Sequence, residues 1–262
     1  MIRDNPVKKT LAAGGTALGA MIFEFFSPGI PQICRNAGAE FVLFDMEHTG
    51  LGFETLKIQF ALCRGLSIVP MVRVPRGEYP FIARALDVGA FGVMVPMVGT
   101  ADEARHIVSC TRYPPLGRRG AAFGFAHDDY QGGDVAEKIS ALHERTMVIP
   151  QIETAEGLAN VEAIAAVPGV DALWLGQFDL SNFLGIPGQF KHPTFVSAVE
   201  RIVAACEANG KAAALLAMDD DWARDYGTKG FRLMAYGVDS LMLQGALAHG
   251  LELLRAVRQA KG

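Results

Sequence analysis

Glu153 in VIPQIETAEG and Asp179 in LWLGQFDLS each follow a short apolar run just before a helical segment begins. In an α/β barrel the strands finish at the face where loops vary and catalytic groups collect. Two acids so placed point to a divalent-metal site at one end of a barrel. Oxygen donors suit hard cations such as Mg²⁺ or Mn²⁺, which take one or two protein carboxylates and leave other positions to water and substrate. Either acid alone would serve equally as a helix N-terminal charge. Together, flanked by Gln151 and by Gly176, which permits close backbone approach, the pair favours the metal.

The other runs end on residues of matching chemistry. Asp45, Glu47 and His48 lie in FDMEHTG, and Arg73 closes PMVR. An aspartate three residues before a histidine can fix the imidazole tautomer and leave the other nitrogen to move protons. A lone loop histidine, by contrast, is more often solvated. The planar guanidinium of Arg73 suits an enolate oxygen or a carboxylate; its structural alternative is an ion pair with Glu47 or Asp87. Asp87 itself, in ARALDVG, is expected to be a supporting or helix-terminal residue rather than a ligand. His106, His143 and His249 fall in helical segments, and His127 and His192 in loops. No lysine stands at a C-terminal strand end, and Lys211 precedes a strand, so Schiff-base chemistry lacks its nucleophile. Nucleotide-binding glycine motifs are missing as well.

These residues need elements to carry them. Short β-branched and apolar runs alternate with helical segments, the rhythm of repeated βα units around a parallel sheet. Eight strands are predicted, near Thr16–Phe23, Phe41–Met46, Ile68–Val74, Phe91–Pro96, Met147–Ile152, Ala172–Leu175, Ala212–Leu216 and Ser240–Leu243. The class is α/β, a (β/α)8 TIM barrel, with residues 1–262 forming one domain. The stretch Tyr113–Arg145, rich in Gly, Pro and charge, breaks the rhythm and is expected to form a lid or subunit contact.

With 262 residues, 50% of them hydrophobic, the chain can bury a large core. A net charge of -4 and a pI near 5.9, with no basic run, speak against nucleic acid or membrane partners and for small-molecule chemistry. The N-terminus lacks a signal-peptide pattern and no apolar run reaches membrane-spanning length, so a cytoplasmic protein is expected. Cys34, Cys63, Cys110 and Cys206 are too dispersed for a zinc or redox motif and read as reduced, buried thiols.

The motifs FVLFDMEH, VPMVRVP, ARALDVGAFGVMVPMV, RYPPLGRRG, VIPQIET and LGQFDLSNFLG, in this order, resemble those of the HpcH/HpaI aldolase family of metal-dependent pyruvate aldolases. The resemblance spans about residues 15 to 250. It implies that Glu153 and Asp179 bind a divalent ion, Mg²⁺, Mn²⁺ or Co²⁺, which chelates pyruvate. It also implies that His48 with Asp45 orients a metal-held water as acid and base, that Arg73 stabilises the enolate oxygen, and that Gln151 supports the ligands. Backbone N–H groups of Phe178 and Asp179 would hold the substrate carboxylate, and Asp87 matches a family aspartate near a subunit interface. The implied reaction is reversible aldol cleavage of a 4-hydroxy-2-oxo acid, of the 2-keto-3-deoxy sugar acid type, to pyruvate and an aldehyde. The implied assembly is a hexamer, a trimer of dimers exchanging the last helix, here LAHGLELLRAVRQA.

Two departures stand out. Gln177 occupies a position where the family pattern Gly-Pro-x-Asp-Leu-Ser carries proline, and AAFGFAHDDYQGGD replaces an Arg-containing loop after RRG. The second change, residues 121–134, is expected where the far end of the aldehyde is recognised, with His127, Asp128 and Asp129 as substitutes or as a solvated turn. The alternatives to the aldolase are a citrate-lyase-like or malyl-CoA-type lyase, which needs a CoA site, and a non-catalytic oxo-acid-binding barrel.

Overall fold

The computed structural model describes residues 2–259; the extreme ends of the expected 1–262 domain, and Ala260 of the C-terminal segment, lie outside them. Eight parallel strands close into a barrel in the order β1 to β8. They are β1 (Ala17–Ile22), β2 (Phe41–Asp45), β3 (Val69–Arg73), β4 (Gly92–Val95), β5 (Met147–Ile152), β6 (Ala172–Leu175), β7 (Ala212–Ala217) and β8 (Phe231–Val238). Strands β2 to β7 are buried along their whole length, as expected of a parallel sheet covered on both faces.

Helices alternate with the strands: α1 (Pro6–Ala12), α2 (Ile30–Asn36), α3 (Phe53–Leu62), α4 (Tyr79–Asp87), α5 (Ala101–Thr111), α6 (Val135–Arg145), α7 (Ala155–Ala159), α8 (Val161–Ala165), α9 (Gln177–Phe183), α10 (Pro193–Ala208), α11 (Asp220–Tyr226) and α12 (Asp239–Gln259). Their starts are written locally. Thr100 and Glu103 form a reciprocal capping box on α5, and the Asp134 carboxylate accepts from the N–H groups of Ala136 and Glu137 at α6.

Two hydrophobic layers result. One fills the barrel interior with Met21, Leu43, Met71, Met94, Ile149 and Trp174, closed at the N-terminal end by Val7 and Leu11 of α1. The other joins the outer strand faces to the helices through residues such as Phe44, Leu56, Ile82, Ile164, Phe195 and Ile202.

The eighth strand is not Ser240–Leu243. That run lies in the first turns of α12, and its Leu241, Met242 and Leu243 are solvent-exposed. The true strand, FRLMAYGV, pairs with both β7 and β1. Its burial alternates along the chain, with Arg232 and Tyr236 on the less buried side, so it reads as less apolar than the Ser240–Leu243 run that follows.

The stretch Tyr113–Arg145 is neither a lid nor part of the catalytic mouth. It supplies α6 and packs a short 3₁₀ turn, Ala126–Asp128, at the N-terminal end of the barrel. There the Arg145 guanidinium stacks over Phe91, 4.0 Å from the ring centre, and donates to the carbonyl of His127. Asp129 pairs with Arg3 at 2.7 Å and Asp128 with Lys138 at 2.7 Å. His127 and Asp128 are fully buried, which excludes the solvated turn as well as aldehyde recognition within the same chain.

Candidate active site

The C-terminal ends of the strands gather the expected residues around a cleft of about 190 Å³, lined by His48, Arg73, Gln151, Gln177, Phe178 and Asp179 together with Met21, Phe23, Trp174, Leu216, Met218 and Val238. Asp45 ends β2 and Arg73 ends β3 at paired register positions, so the ladder itself sets them side by side. Arg73 Nε donates to Asp45 Oδ1 at 2.6 Å. Its Nη1 lies 3.2 Å from Glu47 Oε2, in ion-pair range but without hydrogen-bond geometry, so that oxygen stays buried and unsatisfied. The ion-pair partners of Arg73 are thus Asp45 and Glu47, not Asp87.

The Asp45–His48 dyad takes a different form from the one expected. The Asp45 carboxylate accepts from Arg73 and from the backbone N–H groups of Glu47 and His48, each of the latter at 3.1 Å. It caps its own loop as an Asx turn does. The His48 ring, more than half exposed, instead places Nε2 3.5 Å from the Glu47 carboxylate. Asp45 acts on His48 through the backbone, and Glu47 is the acid facing the imidazole.

Glu153 follows β5 and is fully buried. Its Oε1 accepts from the Met97 N–H at 2.7 Å and its Oε2 from Gln151 Nε2 at 2.5 Å. Burial, reinforced by the carboxylates of Glu47 and Asp179, pushes Glu153 up to about 7 despite the Met97 hydrogen bond and Arg73. Burial also raises Glu47, against the pull of Arg73. Gly176 must lack a side chain here, because a Cβ would strike Glu153 Oε2 and the Gln151 amide. Asp179 is the third residue of α9 and half-buried at the mouth.

Residues outside the expected set complete the site. Met97 holds a left-handed backbone, φ 60°, which costs a non-glycine residue of order 1–3 kcal/mol and turns its N–H onto Glu153. A methionine carries no sequence signal for such a role. Glu47 is one of the two expected ion-pair partners of Arg73, as found, but nothing in the sequence shows that it also faces His48. Asp87 is not brought to this end: it terminates α4 at the opposite end and pairs with Arg119 at 2.7 Å. His143 accepts from the Tyr113 N–H and His192 caps α10, both structural uses. All four cysteines are free and buried.

A divalent ion fits this donor set. Four carboxylates, Asp45, Glu47, Glu153 and Asp179, face one guanidinium, and Gln151 Oε1 is buried without a partner. Among the described residues no group of three or more His, Cys, Asp and Glu side chains is placed to hold a metal. An ion bound here would therefore draw at most two ligands from such side chains and the rest from substrate and water.

Fold and site together define a (β/α)8 barrel with an acidic, oxygen-donor centre at its catalytic mouth. Residues 21–246 match the model of the HpcH/HpaI aldolase/citrate lyase family. The chain is 32% identical over 252 residues to a 2-keto-3-deoxy-L-rhamnonate aldolase of Klebsiella pneumoniae, covering 96% of this chain and 94% of that protein. It is 33% identical over 239 residues to a hydroxypyruvate/pyruvate aldolase of Roseovarius nubinhibens, covering 91% and 92%. A crystal structure of an HpcH/HpaI aldolase from Desulfitobacterium hafniense superposes with a TM-score of 0.90 at 30% identity, over 95% of this chain and 96% of that one. The chain belongs to the HpcH/HpaI aldolase/citrate lyase family. It is an enzyme, a carbon–carbon lyase of the aldolase kind.

Proposed function

We propose that Glu153 and Asp179 hold a divalent ion, with Gln151 as support, and that the site catalyses reversible cleavage of a 4-hydroxy-2-oxo acid to pyruvate and an aldehyde. The observation that carries this reading is that His48, Arg73, Gln151 and Asp179 line one cleft, with Glu153 buried against Gln151 and with Asp45 and Glu47 holding Arg73 from behind. Bound there, the ion supplies Lewis acidity to the 2-oxo and carboxylate oxygens. Arg73, locked by Asp45, presents its guanidinium to the oxygen on which enolate charge develops. His48, facing Glu47, moves the proton at the C4 hydroxyl, directly or through one water. The N–H groups of Phe178 and Asp179, in the first turn of α9, have no intrahelical partner and face the substrate carboxylate. Mg²⁺, Mn²⁺ and Co²⁺ are the candidate ions.

The fold also supports an oligomer. Leu247, Leu251, Leu253, Leu254 and Val257 of α12 are exposed. An uncovered apolar groove of about 400 Å³ runs along β1 and α2, lined by Leu18, Ile22, Ile30, Ile33 and Met242. Exchange of α12 between copies would cover both, in keeping with a hexamer. Among the described residues no helix is long and apolar enough to cross a membrane. The free buried thiols suit the reducing cytoplasm in which we place this enzyme as a one-domain protein.

The test is exchange of the pyruvate methyl protons in D₂O, followed by NMR, first with chelator and then with Mg²⁺, Mn²⁺ or Co²⁺. Metal-dependent exchange is expected. Exchange that survives full metal removal would overturn the metal assignment, and none with any ion would turn the reading toward a CoA-type lyase or a non-catalytic barrel.

A further inference from the structure

The backbone ladder between β6 and β7 stops short of the catalytic mouth, because β6 has four residues and β7 six. Their backbone register runs only from Ala172↔Ala212 to Trp174↔Ala214. Beyond it, the end of β6 stays with β5, through Ile152↔Leu175 and the Gly176 N–H to the Ile152 carbonyl at 3.1 Å. The end of β7 stays with β8, through Leu216↔Ala235 and Ala217↔Tyr236. One buried side chain spans the gap: Gln177 Nε2 donates to the Leu216 carbonyl at 3.0 Å. On the far side of the same half-barrel, the Asp239 carboxylate accepts from the N–H groups of Phe23, Glu24 and Phe25, fastening β8 to the end of β1.

The cleft is correspondingly two-sided. His48, Arg73, Gln151 and Asp179 lie on one side together with Trp174 and Phe178, whereas β7, β8 and β1 contribute only apolar side chains, Leu216, Met218, Val238, Met21 and Phe23. If the oxo acid occupies the side with the polar groups, the aldehyde meets the apolar one. Its distance from the reacting carbon is then set across the β6–β7 gap.

We propose that Gln177 is a positioning residue that pins the lip of β7 to the start of α9 and so sets which aldehydes the cleft accepts. The inference rests on the aldolase reading above. Proline, which the family pattern carries at this position, has no amide with which to reach Leu216. Asp179 does not depend on the bridge, because Gly176 is tied to β5 and Leu180 donates back to the Gly176 carbonyl at 2.9 Å. Loss of the bridge therefore loosens the acceptor wall more than the metal side.

The experiment compares metal-loaded wild type with Gln177→Leu and Gln177→Asn in two assays, pyruvate methyl exchange and aldol addition of pyruvate to propanal. Leucine removes the donor, and asparagine is one methylene too short to span the gap, so asparagine decides if leucine impairs folding. Losing one buried neutral hydrogen bond predicts that addition falls about fivefold more than exchange, chiefly as a higher KM for propanal. An addition-to-exchange ratio within twofold of wild type in both variants would overturn the proposal. Absence of exchange in the wild type would remove the aldolase reading and this inference together.

Discussion

Glu153 carries the sharpest residue-scale consequence. Its folded value of about 7 lies above the unfolded carboxylate value near 4.3. The folded state therefore holds this proton more tightly, and in metal-free protein its contribution to stability falls as pH rises from about 4.3 through 7. Glu153→Gln should remove that slope from chelator-treated melts, a difference on the order of 3 kcal/mol above pH 7, while abolishing metal-dependent pyruvate exchange. Parallel pH slopes in wild type and variant would contradict the assignment. Asp179→Asn should also abolish exchange with an unchanged circular dichroism spectrum, since its side chain sits at the mouth rather than in the core. Arg73→Lys keeps the charge but loses the fork that engages Asp45 while presenting to substrate. Exchange in that variant should drop roughly 10²-fold, the usual loss for one donor to a developing oxyanion.

At the element scale the 3₁₀ turn and α6 act as a clasp across the N-terminal end of the barrel. Burial would raise the carboxyl of Asp129, but the Arg3 hydrogen bond and the Arg3 and Arg145 charges outweigh it and hold the group low. Asp128 is likewise held low, with burial overcome by the Gly124 N–H and by Lys138. Stability from these depressed carboxyls is present above their unfolded values near 3.9 and is lost as pH falls through the lower folded ones. Asp129→Asn removes the acid that pairs with Arg3 at 2.7 Å and lies 3.9 Å from buried Arg145. It should destabilise the protein by about 1–3 kcal/mol, read as a lower urea midpoint, with little change in pyruvate exchange per folded molecule. This clasp accounts for part of the break in the βα rhythm over Tyr113–Arg145: His127, Asp128, Lys138 and Arg145 are buried polar groups of the clasp rather than a solvated loop.

For the whole molecule the exposed leucines of α12 are the informative surface. A contiguous apolar face of that kind is what the proposed oligomer would bury. If it does, replacing Leu247, Leu251 and Leu254 with glutamate should give a smaller species by light scattering than the unaltered protein, leaving the barrel folded. An unchanged molar mass would show that the face is not an interface.

Much of this protein was written in local chemistry. The βα rhythm, seven of the eight strands, and the strand-end positions of Asp45, His48, Arg73, Gln151, Glu153 and Asp179 follow from apolar runs that stop where polar groups begin. Such runs are interpretable because a parallel strand must be buried on both faces and a barrel directs its strand ends to one mouth. Other features exist only between distant segments. The strand identity of FRLMAYGV depends on partners on both sides. The turn of Asp45 toward Arg73 and backbone amides, the aim of the Met97 N–H at Glu153, the placing of Asp87 and residues 121–134 at the far end, and the Gln177 bridge all require neighbours remote in sequence. Hydrogen-bond direction and charge pairing are fixed by which groups meet on burial, and that meeting is decided by the closed barrel.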